Sequence, residues 1–249
     1  MSNGIVDLEE AVQIWAWDSY KKTRSKKIPM DFEHAFIDIN WSGVKFIPQK
    51  PIFTQRGHSV PKSQVIFKSV FRNESSTSQT HSLKTERETT ATSTTSITKG
   101  YTKGFSVGLT LSPPGDVAEA SVGFEKGFSI ENVEETSDSK TLTWATEGSL
   151  TVQPNSALTA ELQVKETQNS YSFETSVAIK GRVNVSIYNR LENSALVMSV
   201  MGDIKEILLA NKDLKGLRWE GKAVYIDVKG KCEFKYGIEQ QIRCYPAEK

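Results

Sequence analysis

Apolar and polar residues alternate between residues 105 and 130, on both sides of a turn signal. Period-two alternation places the two sets of side chains on opposite faces of a strand. The alternation is interrupted by residues that form turns, namely Pro113, Pro114, Gly115 and Asp116. The pattern predicts a hairpin over residues 103–126 whose apolar face consists of Phe105, Val107, Leu109, Leu111, Ala118, Ala120, Val122 and Phe124. The opposite face is small or polar and consists of Ser106, Gly108, Thr110, Glu119, Ser121, Gly123 and Glu125.

A turn centred between Pro114 and Gly115 fixes the register of this hairpin. The expected pairs are Leu111 with Ala118, Leu109 with Ala120, Val107 with Val122 and Phe105 with Phe124, so paired residue numbers add up to 229. The next pairs outward are Lys103 with Lys126 and Tyr101 with Phe128. Facing lysines are costly on a buried face, whereas at a membrane edge they can reach the headgroups beside an aromatic pair.

Two interpretations of the hairpin stay open at this point. One is an ordinary amphipathic hairpin of a soluble sheet. The other is a transmembrane β-barrel hairpin with lipid outside and water inside. The arm from Lys103 to Leu111 has the length of about 9–11 residues that a tilted membrane strand needs. In the barrel, Glu119 and Glu125 would line the lumen and favour cations, as acidic rings do.

The hairpin lies between two polar tracks. From residue 75 to residue 102, 16 of 28 residues are Ser or Thr. This composition is compatible with disordered low complexity, but Thr also favours strands. A second polar stretch, residues 131–146, is the expected partner, so the layout is nested: polar strand, apolar hairpin, polar strand. A flat polar pair is weakly held in register and free to repack.

Elsewhere the chain reads mostly as strands. Residues 5–23 predict a helix, with acids early and lysines late. Strands are expected within 32–55, at 64–71, at 148–167 around Pro154 and Asn155, and at 171–189. Residues 201–214 are either a short helix or a strand and loop, and 217–245 form two or three strands. Cys232 and Cys244 flank a stretch that reads as a hairpin, so they are either a disulfide pair or two buried free thiols.

Composition excludes several function classes. The chain has 249 residues and a net charge of +1, which does not indicate a nucleic-acid partner. There is no run of 18 apolar residues, and the first residues carry acids where a signal peptide would be apolar. The three histidines are scattered, and no metal-ligand spacing, phosphate loop or nucleophile motif is present. We therefore expect no cofactor, no metal and no catalysis.

The order of these segments resembles the aerolysin-like β-pore-forming family, in the branch of the epsilon-toxin and Mtx2-type toxins and their animal relatives. The similarity rests on the Ser/Thr-rich strand from Phe71 to Gly108, the strand pair from Thr146 to Glu166, and the closing hairpin from Trp219 to Gly237. The resemblance implies a mainly β, elongated fold of long antiparallel strands, a small α+β N-terminal head and a tucked insertion hairpin. The expected division is a head over 1–66, a pore-forming module over 67–187, and C-terminal strands over 188–249.

The resemblance also implies a function. A soluble monomer, released without an obvious signal peptide, would bind a target membrane, form a homo-oligomeric ring and contribute one hairpin to a shared barrel. Trp15, Trp17 and Trp41 are candidate receptor contacts, although core packing is the alternative for each. A non-lytic lectin or adhesin built on a β-sandwich is the competing function, because fold resemblance alone does not fix function.

Overall fold

The computed structural model describes residues 4–23, 30–58, 60–104, 106–120, 123–124, 126–211, 214 and 217–247. Its strands are β1 (Ile5–Asp7), β2 (Ala35–Asn40), β3 (Val44–Pro48), β4 (Ile52–His58), β5 (Lys62–Asn73), β6 (Gln79–Thr102), β7 (Leu109–Leu111), β8 (Phe128–Ile130), β9 (Thr136–Val152), β10 (Ser156–Asn189), β11 (Ala195–Asp203), β12 (Arg218–Glu220) and β13 (Ala223–Pro246). Its α-helices are α1 (Leu8–Thr23), α2 (Gly115–Glu119) and α3 (Ile204–Ala210), and Phe32–His34 forms a 3-10 helix.

Strand β10 is the axis of the molecule. Its 34 residues span about 110 Å at the usual rise per residue of a strand. Along one edge of β10, strands β5, β4, β3 and β2 follow one another end to end. Along the other edge lie β13 and then β11. Strand β13 also pairs with β6, and β6 pairs with β9, which adds two strands to the sheet. The length of β10 and the number of strands make the fold elongated and mainly β.

The two polar tracks pair as the sequence predicted. Strands β6 and β9 form an unbroken antiparallel ladder from Gln79 opposite Val152 to Thr95 opposite Thr136. Paired residue numbers add up to 231 throughout this ladder. The Ser/Thr-rich track is therefore a long strand. The turn at Asn155, where the φ angle is 49°, also lies where Pro154 and Asn155 indicated it.

Helix α1 packs on the end of the sheet where β2 and β11 flank β10. The predicted helix is confirmed from Leu8 onward. It begins there because the Asp7 carboxylate accepts hydrogen bonds from the backbone N–H groups of Glu9 (2.9 Å) and Glu10 (3.2 Å). Leu8 and Val12 are fully buried. The helix alternative for residues 201–214 is confirmed by α3, which packs against α1.

The predicted hairpin between Cys232 and Cys244 is wrong. Both cysteines lie on the single strand β13, which pairs with β10 on both sides of a small register shift. They are twelve positions apart along the strand, or about 40 Å, so they cannot form a disulfide with each other. Cys232 is a buried free thiol and Cys244 an exposed one.

Among the described residues, no helix is long and apolar enough to cross a membrane.

Candidate functional site

The segment between β6 and β9 lies folded against one face of the sheet, and we call residues 103–130 the tongue. It contains β7, α2 and β8. Strands β7 and β8 pair with each other as a small separate sheet. Phe124 and Phe128 hold the tongue to β13, because their ring centres lie 5.8 Å and 5.2 Å from that of Phe234. The tongue therefore joins the main core of the protein.

Burial in the tongue follows the predicted two faces. Of the predicted apolar face, Val107, Leu109, Leu111 and Phe124 are at most 3% exposed, and Ala118 and Ala120 are half-buried. Of the predicted small or polar face, Gly108, Thr110, Glu119 and Gly123 are exposed, and Ser106 is half-buried. Phe105, Ser121, Val122 and Glu125 were also predicted and lie outside the described residues. The apolar face is thus covered by the sheet in this conformation.

The predicted secondary structure of the tongue differs from the observed one. Leu111 pairs with Phe128 rather than with Ala118, and paired numbers in the ladder of β7 and β8 add up to 239 rather than 229. The predicted turn is also absent here, because Pro114 precedes α2 while Gly115 and Asp116 form its first residues. The helix buries Val117, which a two-residue turn would leave exposed.

Four glycines explain why the tongue is not extended in this conformation. Gly104, Gly108, Gly123 and Gly127 have φ angles of 67°, 58°, 84° and 112°. Other residues rarely adopt these angles, so the glycines let the chain turn where an ordinary strand would continue. The two faces of the tongue are consequently formed by short elements.

The four predicted membrane-edge anchors are not paired with each other in this conformation. Tyr101 lies within β6, is fully buried, and stacks on Phe46 with ring centres 5.5 Å apart. The Nζ atom of Lys103 lies 4.7 Å from the centre of the same Phe46 ring. Phe128 is fully buried on Phe234, whereas Lys126 is exposed.

Asp116 forms the polar contact between the tip of the tongue and the sheet. Tyr171 on β10 donates a hydrogen bond to its carboxylate, and the Nδ2 atom of Asn169 donates another of 3.2 Å. Asn169 also donates to the hydroxyl of Tyr236 at 3.2 Å. Burial, and then the neighbouring Asp116, raises the pKa of Tyr171 and of Tyr236. Both phenols therefore stay protonated and able to donate at neutral pH.

The partners of Asp116 were not predicted from the sequence. Alternation along β10 and β13 indicates that Tyr171 and Tyr236 face inward, but it does not say which segment they face. Asn169 is 8% exposed and lies at an inward position of an otherwise ordinary strand. A buried Asn between inward tyrosines is a signal that a polar group must approach from another segment.

The three tryptophans proposed as receptor contacts pack on the core. Trp17 stacks on Tyr20 with ring centres 4.8 Å apart, and Trp41 lies 6.1 Å from Phe46. The ring of Trp15 packs against Gly202, because a Cβ atom on residue 202 would come within 2.5 Å of the Trp15 ring. All three are half-buried, which agrees with the core alternative. Trp219, which no pattern singled out, is 60% exposed.

One side-chain group could hold a cation. Asp31, Glu33 and His34 place one ligand atom each within 4.8 Å of one another. Both carboxylates are exposed, and such groups are common on protein surfaces without a bound ion. We assign no metal to this group.

No family model matches the sequence, and no curated protein matches it. Solved structures do. A non-toxic crystal protein from Bacillus thuringiensis matches with a TM-score of 0.56 at 12% identity, over 98% of this chain and 98% of that chain. The Mpp75Aa1.1 β-pore-forming protein from Brevibacillus laterosporus matches with a TM-score of 0.48 at 12% identity, over 98% of this chain and 90% of that chain. The parasporin-2 Bacillus thuringiensis toxin that recognises cancer cells matches with a TM-score of 0.44 at 13% identity, over 86% and 75%.

The first of these matches extends over 98% of both chains and shows a shared fold. The predicted fold class, an elongated and mainly β fold of long antiparallel strands, is confirmed.

Proposed function

We propose that the protein is a pore-former whose tongue leaves the sheet and becomes one hairpin of a transmembrane barrel shared by several copies. The observation that carries the proposal is the two-faced tongue, with its apolar face buried on the sheet and its small, polar face exposed. In a barrel the same apolar face would meet lipid and every backbone group would be paired. We further propose that residues 1–66 contribute to membrane recognition and that residues 67–187 form the pore-forming module.

The ladder of β6 and β9 supplies the register for the inserted hairpin. Continued through the tongue, the sum of 231 pairs Val107 with Phe124 and places Gly115 and Asp116 in the turn. The register of 231 keeps the same residues on the apolar face and on the small, polar face as the register of 229. It also places Lys103 opposite Phe128, so the two lysines no longer face each other as they would in the register of 229.

The glycines support this register. Gly104 pairs with Gly127 and Gly108 pairs with Gly123 when paired numbers add up to 231. These are the four glycines that turn the tongue in its closed form. Insertion then requires the second arm to slide by eight residues relative to the first, from the sum of 239 in β7 and β8 to 231.

A disulfide across β7 and β8 tests the slide. Thr110 and Ser129 are directly opposed in that ladder, and opposed Cα atoms in antiparallel strands lie about 4.5–5.5 Å apart, within the range of a disulfide. In a Cys244→Ser background, we expect oxidised Thr110→Cys/Ser129→Cys protein to bind target membranes without releasing dye from vesicles or cells. Reduction should restore release.

The matched control is a disulfide in a ladder that does not change. Thr80 and Thr151 are opposed in β6 and β9, with hydroxyl oxygens 3.5 Å apart. Oxidised Thr80→Cys/Thr151→Cys protein should release dye normally. Full release by the locked tongue, or an equal block by the control disulfide, would contradict the proposed slide.

A non-lytic binding protein is the second candidate, and one observation favours it. The match that covers 98% of both chains is to a crystal protein described as non-toxic. Stable membrane binding by the unmodified protein, with neither dye release nor rings in electron micrographs on any target, would support this alternative. The tongue would then be a permanent part of the sheet's cover.

A further inference from the structure

Five buried side-chain polar atoms have no hydrogen-bond partner in the described part of the chain. They belong to His81, Thr85, Ser93, Thr95 and Tyr101. All five residues lie on β6. His81, Thr85, Ser93 and Thr95 are odd-numbered and precede the register shift between Ile97 and Lys99, so these four share one face of the strand. Buried polar groups are normally paired in folded proteins. The presence of four such groups on one face of β6 is therefore a property of this strand.

Two of these residues lie beneath the tongue. Ser93 is directly opposite Phe234 in the ladder of β6 and β13, and Thr95 is directly opposite Cys232. Opposed residues point to the same side of a sheet. The tongue covers this side, because Phe124 and Phe128 pack on Phe234. Ser93 is 0% and Thr95 1% exposed, so closing the tongue removes water from both hydroxyls.

We propose that Ser93 and Thr95 weaken the hold of the sheet on the closed tongue and so set how readily the tongue lifts. A buried hydroxyl without a partner loses its bonds to water and gains none in return. When the tongue lifts, the two hydroxyls are hydrated again, which favours the open state. The effect on lifting does not depend on the proposed function, whereas its consequence for pore formation rests on it.

Cys232 provides a direct measure of lifting. It lies beside Thr95 on the covered face and is 2% exposed. Burial raises the pKa of its thiol to about 12, so the closed protein presents an unreactive thiol at pH 8. In a Cys244→Ser background, the rate at which a maleimide labels Cys232 therefore reports the fraction of time during which the tongue is open.

The test replaces both hydroxyls by apolar groups of similar size. We expect Ser93→Ala/Thr95→Val to slow labelling of Cys232 about tenfold or more and to raise Tm by about 2–4 °C per substitution. Release of vesicle contents should slow in parallel. The matched control is Thr94→Val/Ser96→Ala, on the opposite face of the same strand, which should leave labelling and Tm unchanged. Thr95→Val alone should give a smaller change in the same direction.

Unchanged labelling and Tm in the double variant, or equal changes in the control, would overturn the inference. Slower labelling with unaltered dye release would uphold the weakened hold of the tongue and count against the proposed pore function. The two failures are therefore distinguishable, because labelling and Tm are measured without any membrane.

Discussion

Tyr101 combines a fully buried ring with a hydroxyl that has no partner among the described residues. Its ring stacks on Phe46, which in turn carries the Lys103 ammonium. Burial raises the pKa of the phenol, since the charged form would be poorly solvated. The ring thus contributes packing while the hydroxyl opposes it, and the two contributions can be separated by removing one oxygen atom.

Tyr101→Phe should increase the free energy of unfolding at pH 7 by about 1 kcal/mol, because the stacking is kept and the unpaired hydroxyl is removed. As the pH rises above about 9, the stability of the variant should also fall less than that of the unmodified protein. The unfolded tyrosine ionises near pH 10 while the folded one stays protonated, so the unfolded state binds fewer protons and stability falls as the pH rises. Urea denaturation at pH 7 and pH 10.5 checks both. A variant that is less stable at pH 7 would show that the hydroxyl has a partner.

Asp116 is the residue whose loss should release the tongue. Asp116→Asn keeps the size of the side chain but removes the charge that Tyr171 and Asn169 bind. Hydrogen bonds to charged groups contribute about 1.5–3 kcal/mol, so we expect labelling of Cys232 to accelerate at least tenfold. Glu119→Gln, an exposed carboxyl on the same helix, is the control. Equal acceleration in both variants would show that Asp116 does not fasten the tongue.

At the scale of elements, the sequence predicted the two faces of the tongue better than the segments that each face contacts. Alternation agrees with the burial of the described residues 106–111, because strand geometry places alternate side chains on opposite sides. It could not say whether sheet or lipid covers the apolar side, since both are apolar surroundings. Nor could it foresee β7, α2 and β8, because glycines that suit an open hairpin also permit the left-handed angles of the closed form.

Gly237 shows why the C-terminal hairpin was predicted wrongly. A glycine after Tyr236, between two strand-like runs, is typical of a turn. In the structure it lies within the continuous β13, and a Cβ atom there would come within 2.5 Å of the Trp144 ring. The glycine admits a tryptophan from β9 rather than turning the chain. Local sequence does not reveal such a packing role, because the contact joins residues that are far apart in the chain.

The register of the inserted hairpin can be measured with paired cysteines near its tip. Leu111 pairs with Ala120 when residue numbers add up to 231, and with Ala118 when they add up to 229. After assembly on vesicles, we expect oxidation to form the disulfide readily in Leu111→Cys/Ala120→Cys protein and poorly in Leu111→Cys/Ala118→Cys protein. Both carry Cys244→Ser, and non-reducing peptide mapping identifies the bond. The opposite preference would show that the ladder of β6 and β9 does not continue into the tongue.

At the scale of the whole molecule, β10 and β13 form the part of the sheet on which both the tongue and the pair of polar strands, β6 and β9, are assembled. Strand β9 pairs with β6 alone among the described strands. The tongue continues from the ends of this ladder and meets the sheet through side-chain contacts, such as those of Phe124 and Phe128 with Phe234. Under the proposed function, the ladder would stay in place while these contacts separate. A rearrangement confined to these contacts leaves the axis of the molecule intact.

The ion selectivity of an assembled pore would report which face of the tongue lines it. Glu119 is exposed in the closed form, so its replacement should not disturb the fold. In the register of 231 it lies opposite Ser112 on the small, polar face, and each copy adds one carboxylate to a ring near the turn. Such rings attract cations.

We therefore expect reversal potentials in planar bilayers under a salt gradient to show cation preference. This preference should weaken in Glu119→Gln, where the Glu125 carboxylates remain, and weaken further in Glu119→Lys. Glu192→Lys, in the exposed turn between β10 and β11, alters net charge equally and should leave the reversal potential unchanged. If Glu119→Lys pores conduct with unaltered cation preference, Glu119 does not face the lumen, and the assignment of the two faces of the tongue to lipid and water must be reversed or abandoned.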